Sequence, residues 1–399
     1  MKLKDVKKKN ISKILKLIKK EGPISKKDLS KLTGLSAGSL TGICNELIDI
    51  HVLEEVGSVS KYNSGRKKIL LNINYNYKKV IGIDIKNKFT TILITNINGE
   101  IIHEKKLLTD KSIAPHAFLE KVCSNLKNIL LENNIANNMI LGIGVGILGG
   151  VNKEKNSTDY PIGFWNTEVP VKEILENLLN LPVIVDNNVK NLAILELFLD
   201  DSLDNFFFLK YGSGIGGSIV SNQKIFYGYN SLAGEMGHTI LLPSGDYCPI
   251  CKRRGCLEST ISFKAILNKV SNEFSDSNYP LLYNLADGKK ENISIEIILK
   301  AAELGSVQIC ELLRYSAELL AISIINTISL LSPKKIVLCG KLFQNNLYLN
   351  YLYSNIYNLQ LIDIKDKLQI SKISSDIEKL APAITVIHEL FYDKLYLYL

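Results

Sequence analysis

The chain has 399 residues, 46% hydrophobic and 22% charged, with a net charge of +8, so two or three domains with real cores are expected. No apolar run reaches the roughly 18 residues of a membrane span, and the basic N-terminus lacks the apolar core of a secretory signal. The seven Cys form one tight cluster and four scattered singles, which suits a reducing cytosol and a metal site better than a disulfide framework. Charge is uneven: residues 1–80 carry 18 Lys and Arg against 7 Asp and Glu, while the rest carries 30 against 33. A basic head on a near-neutral body suits a polyanion partner, though charge alone fits a solvated lysine-rich surface equally well.

Ile11, Ile14, Leu15 and Ile18 fall on one face of a first helix, which Gly22-Pro23 breaks. Ser25 is placed to cap a short second helix, with Asp28 three positions on and Leu29 and Leu32 as its apolar face. Thr33-Gly34-Leu35 reads as a tight turn, and Ser36 caps a third helix with Leu40, Ile43, Cys44 and Leu47 inward. This is the helix-turn-helix plan. The outward residues of the third helix, Ser36, Ser39 and Thr41, are small and polar, suited to phosphates and some base edges in a major groove. Residues 52–56 and 68–71 read as strands, joined by a loop that holds Gly65 and Arg66, so the plan is the winged variant. A three-helix scaffold that binds nothing is the alternative; charge and wing together favour double-stranded DNA.

Beyond the head, residues 80–85 read as a buried strand with Asp84 near its end, and 90–102 as a hairpin. A Gly-rich strand and loop covers 141–151, and a helix over 174–179 precedes a strand over 183–186. Residues 206–217 repeat the opening, a strand running into a turn with Gly212, Gly214, Gly216 and Gly217. A long helix over roughly 306–330 leads to a late strand over 335–340. Strands alternating with helices imply an α/β body with two sheets.

Gly234-Glu-Met-Gly-His238 is followed by Cys248-Pro-Ile-Cys251-Lys-Arg-Arg-Gly-Cys256-Leu-Glu258, which places one His and three Cys within 19 positions. Thiolate and imidazole together favour tetrahedral zinc, against the alternative of three ordinary buried thiols. Glu235 and Glu258 are surplus to a four-ligand site. The pattern resembles the zinc-and-sugar signature of the ROK family (repressors, open reading frames and sugar kinases). The family usually has one residue between the first two Cys and a Gly after the second; here Pro249 and Ile250 intervene and Lys252 follows. The C-x-x-C spacing is common at zinc, so binding is expected to survive.

The resemblance implies an α/β protein: a winged helix-turn-helix domain over 1–75, then a two-lobed actin-like body over 76–399, with lobes near 76–195 and 196–399. It implies structural zinc on His238, Cys248, Cys251 and Cys256, and a sugar held by Asn187, Asn188, Glu235, His238 and Glu258. His238 would give one ring nitrogen to the metal and the other to the sugar. Gly65-Arg66 resembles the step by which ROK repressors reach an A·T-rich minor groove. The kinase branch needs Asp-x-Gly-Gly-Thr to cradle phosphates, where this chain has Asp84-Ile85-Lys86-Asn87-Lys88. It also needs an acid as base in Val-Glu-Asn-Asp-Ala-Asn, where this chain has Asn188 in Val185-Asp186-Asn187-Asn188-Val189-Lys190. An amide cannot take that proton but can hydrogen-bond a hydroxyl. Lys190 either alters sugar preference or points to solvent.

The chain therefore reads as a cytoplasmic, sugar-responsive repressor with no catalytic residues, no bound nucleotide and no membrane contact. As a homodimer or tetramer it would hold a palindromic operator and release it on binding sugar. Xylose is the first expectation; the pocket excludes neither glucose nor N-acetylated sugars. The rivals are an ATP-dependent ROK sugar kinase with an appended head, and a regulator controlled by a protein partner.

Overall fold

The computed structural model describes residues 3–59, 68–155, 157–229, 231–359 and 365–395. The chain divides into two compact units, one of Met1–Asp159, Gly163–Asp201 and Ser375–Leu399, the other of Tyr160–Ile162 and Ser202–Ser374.

The first unit opens with α1 (Leu3–Glu21), whose Ile11, Ile14, Leu15 and Ile18 are all buried. Then come β1 (Ile24–Ser25), α2 (Lys26–Thr33) and α3 (Ala37–Asp49). Gly34 stops α2 in the left-handed region at φ 71, where a side chain would be strained. β2 (Leu53–Val59) and β3 (Lys68–Ile73) pair antiparallel, and the two residues of β1 add to β3 to make a three-stranded sheet. One expectation fails here. Leu32 is 53% exposed, and Thr33 is buried in its place with its hydroxyl donating to the Leu29 carbonyl at 2.7 Å. Leu29 and Thr33 are four apart and share a face; α2 is too short and too narrowly covered to bury a third residue.

Next follow β4 (Lys79–Ile85), β5 (Phe89–Thr95), β6 (Ile101–Leu108), α4 (Pro115–Glu132), β7 (Ile140–Ile147), β8 (Gly149–Asn152) and β9 (Ser157–Gly163). α5 (Val171–Leu179) starts three residues before its expected position and leads into β10 (Val183–Asn187) and α6 (Asn188–Leu199). The sheet order is β10-β7-β4-β5-β6, with β4, β7 and β10 parallel and β4, β5 and β6 antiparallel. Ile81, Ile83, Val145, Phe118, Leu126 and Leu175 belong to one apolar core that joins this sheet to α4 and α5.

The second unit has β11 (Phe206–Tyr211), β12 (Ile215–Ser221), β13 (Lys224–Phe226), α7 (Leu257–Ile261), α8 (Phe263–Glu273), α9 (Pro280–Leu285), α10 (Ile295–Glu303) and the long α11 (Val307–Leu331). β14 (Lys335–Cys339), α12 (Asn346–Leu359) and β15 (Leu368–Ile370) complete it. Its sheet order, β13-β12-β11-β14-β15, repeats the first: an antiparallel meander whose opening strand runs parallel to the two later ones. The body is a duplicated α/β fold.

α13 (Ala381–Val386) and a π-helical turn, Ile387–Asp393, then return to the first unit, where α13 packs on β4, β7 and α6. Glycines in the strands make room. A Cβ at Gly82 would stand 3.0 Å from Ala383, and one at Gly144 would overlap the Pro382 carbonyl.

Candidate functional site

The head presents α3 as its polar face. Ser25 caps α2, accepting from the Asp28 N–H at 3.2 Å, while its hydroxyl donates to the Asp28 carboxylate at 2.6 Å. The Ser25 hydroxyl, first, and Lys68 hold the Asp28 carboxyl below its usual range. Ser36 caps α3, accepting from the Ser39 N–H at 3.3 Å, and its hydroxyl donates to the Ser39 hydroxyl at 3.0 Å. Leu40, Ile43, Cys44 and Leu47 are buried, as their spacing predicts; Ser36, Ser39 and Thr41 are exposed. The same exposed face holds Gly38 and Gly42, where a Cβ would meet nothing within 4 Å. Their spacing of four on the polar side of the helix was a readable signal. Gly65 and Arg66 lie outside the described residues.

In the first unit the strand ends gather polar groups. Asp84 of β4 and Asp186 of β10 both register with Gly146 of β7, so the three share one row. Asn187 caps α6, accepting from the Val189 N–H at 2.8 Å and donating its amide to the Gly149 carbonyl at 2.6 Å. The Asn188 amide donates to Asp84 Oδ1 at 3.1 Å, and Asn188 Oδ1 is buried with no hydrogen-bond partner among the described residues. Lys86 Nζ lies 3.1 Å from Asp84 Oδ2 and 3.5 Å from Glu378 Oε2. Burial raises the Asp84 carboxyl above its usual range, against the pull of Lys86. Burial also pulls the Lys86 ammonium down, but Asp84 and Glu378 together outweigh it. Lys153 pairs with Asp186 at 2.9 Å. Lys190 is 2% exposed, which excludes the solvent-facing alternative. The sequence marks Lys86 only as a departure from the kinase glycines; its partnership with Glu378 spans 292 positions and has no local signal.

In the second unit the Gly-rich turn between β11 and β12 meets Glu258. The Ile215 N–H donates to Glu258 Oε2 at 2.7 Å. A Cβ at Gly214 would stand 2.6 Å from the same oxygen, so glycine there lets the carboxylate reach the turn. Glu235 precedes a single turn of 3-10 helix, Met236–His238, which packs on α7. A Cβ at Gly237 would stand 3.2 Å from Glu258 Cβ. Glu235, His238 and Glu258 are thereby carried by two neighbouring elements.

The ligand atoms of His238, Cys248, Cys251 and Cys256 all lie within 4.8 Å of one another. Cys248 Sγ is 3.8 Å from His238 Nδ1, and Cys251 Sγ is 3.2 Å from Cys256 Sγ. Sulfurs on one tetrahedral ion at about 2.3 Å would stand ~3.8 Å apart, so the cluster fits a metal after small shifts. Lys252 follows Cys251 at φ 59, left-handed, which accounts for the family's usual glycine at that position. Its N–H donates to the Cys248 carbonyl at 2.9 Å, and the Cys248 N–H to the Arg253 carbonyl at 2.8 Å. Arg253 also donates to the His238 carbonyl at 2.9 Å. Burial raises the Cys248 thiol; it also raises that of Cys251, but bonds from Cys256 and Arg253 outweigh it and leave Cys251 at about 6. Burial likewise raises the Cys256 thiol, to about 12; a metal would take these thiols as thiolates.

The ROK family model matches residues 80–375, most of the chain. The chain belongs to the ROK family. A winged helix-turn-helix DNA-binding model matches residues 8–54 in front of it. A xylose repressor from Caldicellulosiruptor bescii is 28% identical over 380 residues, covering 90% of each chain. The DNA-binding transcriptional dual regulator NagC of Escherichia coli is 26% identical over 345 residues, covering 84% of this chain and 81% of its own. A crystal structure of a ROK family transcriptional regulator, homologous to the E. coli MLC protein, superposes with a TM-score of 0.83 at 24% identity, over 98% of each chain.

Within the ROK frame, Lys86 and Asn87 stand where the kinase branch has its two phosphate-cradling glycines, and the Lys86 ammonium contacts the aspartate that opens that motif. The position of the kinase base is an amide that donates to the same aspartate. An amide cannot take a proton as the kinase base does at neutral pH. No helix among the described residues is long and apolar enough to cross a membrane.

Proposed function

We propose that the chain is a sugar-responsive DNA-binding repressor of carbohydrate utilisation genes, without kinase activity. One observation carries this: behind a winged helix-turn-helix head, Asn188 stands at the kinase-base position and donates to Asp84. The head, residues 1–75, supplies operator contacts through Ser36, Ser39, Thr41, Gly65 and Arg66. The body, 76–399, supplies sugar recognition through Asn187 and Asn188 in the first unit and Glu235, His238 and Glu258 in the second. His238, Cys248, Cys251 and Cys256 hold a structural zinc, whose role is to fix the loop that carries Glu235 and Glu258; three thiols and an imidazole are zinc's preferred donors. With four protein ligands the ion has no open position and activates no water.

The effector in this reading is a pentose or hexose, xylose first, by likeness to the xylose repressor relative. The protein works in the cytoplasm as a dimer or tetramer on a palindromic, A·T-rich operator, because paired half-sites match two-fold symmetry. Sugar biases the body towards an arrangement that spaces the heads badly for those half-sites.

The test is an operator titration on the gene's own upstream region at fixed salt, since phosphate contacts make affinity steeply salt-dependent. It is run with xylose, glucose, N-acetylglucosamine and no sugar. Release by one sugar confirms the reading and names the effector. Turnover of sugar and ATP at kinase-like rates would overturn it, and tight binding that no sugar changes would assign control to a protein partner.

A further inference from the structure

α6 has one end at the proposed sugar residues and the other on the DNA-binding head. Asn187 is its N-cap and Asn188 its first residue. Its twelve residues run about 18 Å at 1.5 Å each. At the far end the Phe198 carbonyl accepts from Lys19 Nζ at 2.7 Å, and Asp201 Oδ1 accepts from the same ammonium at 2.9 Å. The ammonium also stands 4.3 Å from the centre of the Phe198 ring. Lys19 belongs to α1, and its side chain is only 16% exposed.

The last carbonyls of a helix have no partner within it and carry the negative end of the helix dipole. A lysine from the head therefore caps the C-terminus of α6. Between its ends the helix is clamped. Nine of its twelve residues are buried, the charged Lys190 and Glu196 among them. Asn191 Oδ1 accepts the Thr385 hydroxyl of α13 at 2.6 Å, and its amide donates to the Val145 carbonyl of β7 at 3.4 Å. A helix packed and hydrogen-bonded in this way moves as a body, not by local fraying.

Its N-terminal end has an acceptor to spare, since Asn188 Oδ1 is buried with no hydrogen-bond partner among the described residues. A sugar hydroxyl donating there would satisfy it, and the arrangement with that bond would be favoured by the cost otherwise paid for an unmade one. α1 has a second attachment one turn away, Lys16 to Asp393 of the C-terminal π-helical turn at 2.7 Å. The head is thus fastened to two elements at once. A displacement of α6 would reach α1 through the Lys19 contacts.

We infer that α6 is the relay between effector and DNA, and that Lys19 is the positioning residue by which the head follows α6. The inference rests on the reading of Asn187 and Asn188 as sugar-binding residues. The experiment uses the full-length protein with its operator and xylose, glucose or N-acetylglucosamine. Operator affinity is measured by anisotropy with and without sugar, and sugar affinity by calorimetry with and without operator. Lys19→Met keeps the aliphatic stem and removes the ammonium. It is expected to bind sugar and, without sugar, operator within about threefold of the parent, while a sugar-induced loss of operator affinity of about tenfold or more in the parent shrinks below about threefold. By reciprocity the operator then also stops weakening sugar binding. Lys19→Arg restores the response. If Lys19→Met unfolds, Asp201→Asn, which weakens the same attachment, is read in its place.

A Lys19→Met protein that releases operator as fully as the parent overturns the relay and leaves the sugar reading intact. A parent chain that binds none of these sugars overturns both. A parent that binds sugar in calorimetry but holds its operator regardless overturns both the relay and sugar-driven release, and leaves only the sugar-site reading intact.

Discussion

Glu258 offers the most direct separation of structure from recognition. Its Oε2 accepts the Ile215 N–H at 2.7 Å, and Ile215 is 3% exposed, so water does not replace that acceptor. Glu258→Ala leaves a buried N–H unmade, a cost of about 1–3 kcal/mol. At about 2 kcal/mol, the melting transition of the unit that holds it falls by roughly 4–8 °C. Glu258→Gln keeps an oxygen acceptor of the same shape and loses only the charge assistance, about 1 kcal/mol in the fold. A sugar hydroxyl bonded to the carboxylate loses the same charge assistance in Glu258→Gln, so sugar affinity should drop about fivefold; Glu258→Ala removes the bond, worth about 1.5–3 kcal/mol, and should cost about ten- to hundredfold. Calorimetric titration with sugar, scanning calorimetry and operator anisotropy are run on both variants. Operator binding without sugar should stay at the parent level in both. A Glu258→Gln protein with normal melting and sugar affinity within twofold of the parent removes Glu258 from the sugar site and leaves it a brace for the Gly212–Gly217 turn.

Cys251→Ser should lose the metal and lower the melting temperature of the body, because a neutral serine hydroxyl is a poor substitute for a thiolate ligand; elemental analysis that finds one zinc per chain in the variant would sink the ligand assignment. Gly42→Glu on the open face of α3 should stabilise the isolated helix by up to ~1 kcal/mol yet abolish operator binding, since the new carboxylate faces phosphates; a variant that still binds would move the DNA-reading face elsewhere. Burial pushes the His388 imidazole below its usual 6.5, against the opposing pull of Asp393. The fold then favours the neutral ring, so its stability is full above about pH 6.5 and is lost as pH falls through the lowered value, by at most ~1.4 kcal/mol per pH unit. His388→Gln should flatten the acid side of a melting-temperature profile between pH 8 and 5, and an unchanged profile would clear His388 of that role.

Much of this was legible along the chain. Helix caps are local hydrogen bonds, so Ser25 with Asp28 and Ser36 with Ser39 could be read from spacing alone, as could the four buried residues of α3. The set of candidate metal donors was legible because its four residues lie within 19 positions, and the Gly-rich turn at Gly212 and Gly214 because it follows directly on β11. Where a short element had more than one apolar candidate, pattern misled: α2 buries Thr33 and exposes Leu32, since only packing decides how wide a stripe is covered.

The sequence by itself determined the winged helix-turn-helix head, the repeated strand–turn openings, the donor set and the loss of the kinase groups, because each depends on residues within a few turns of chain. Only the tertiary structure decided which of many lysines had partners and which partners they had. Lys86 meets Glu378 and Lys19 meets the end of α6, over separations of 292 and 179 positions. It likewise decided that α13 returns to the first sheet beside Gly82 and Gly144. Long side chains with one charge each carry no local signature of their destination. What selects the partner is the closure of the fold around them, which brings distant carbonyls and carboxylates within reach and removes the competing water.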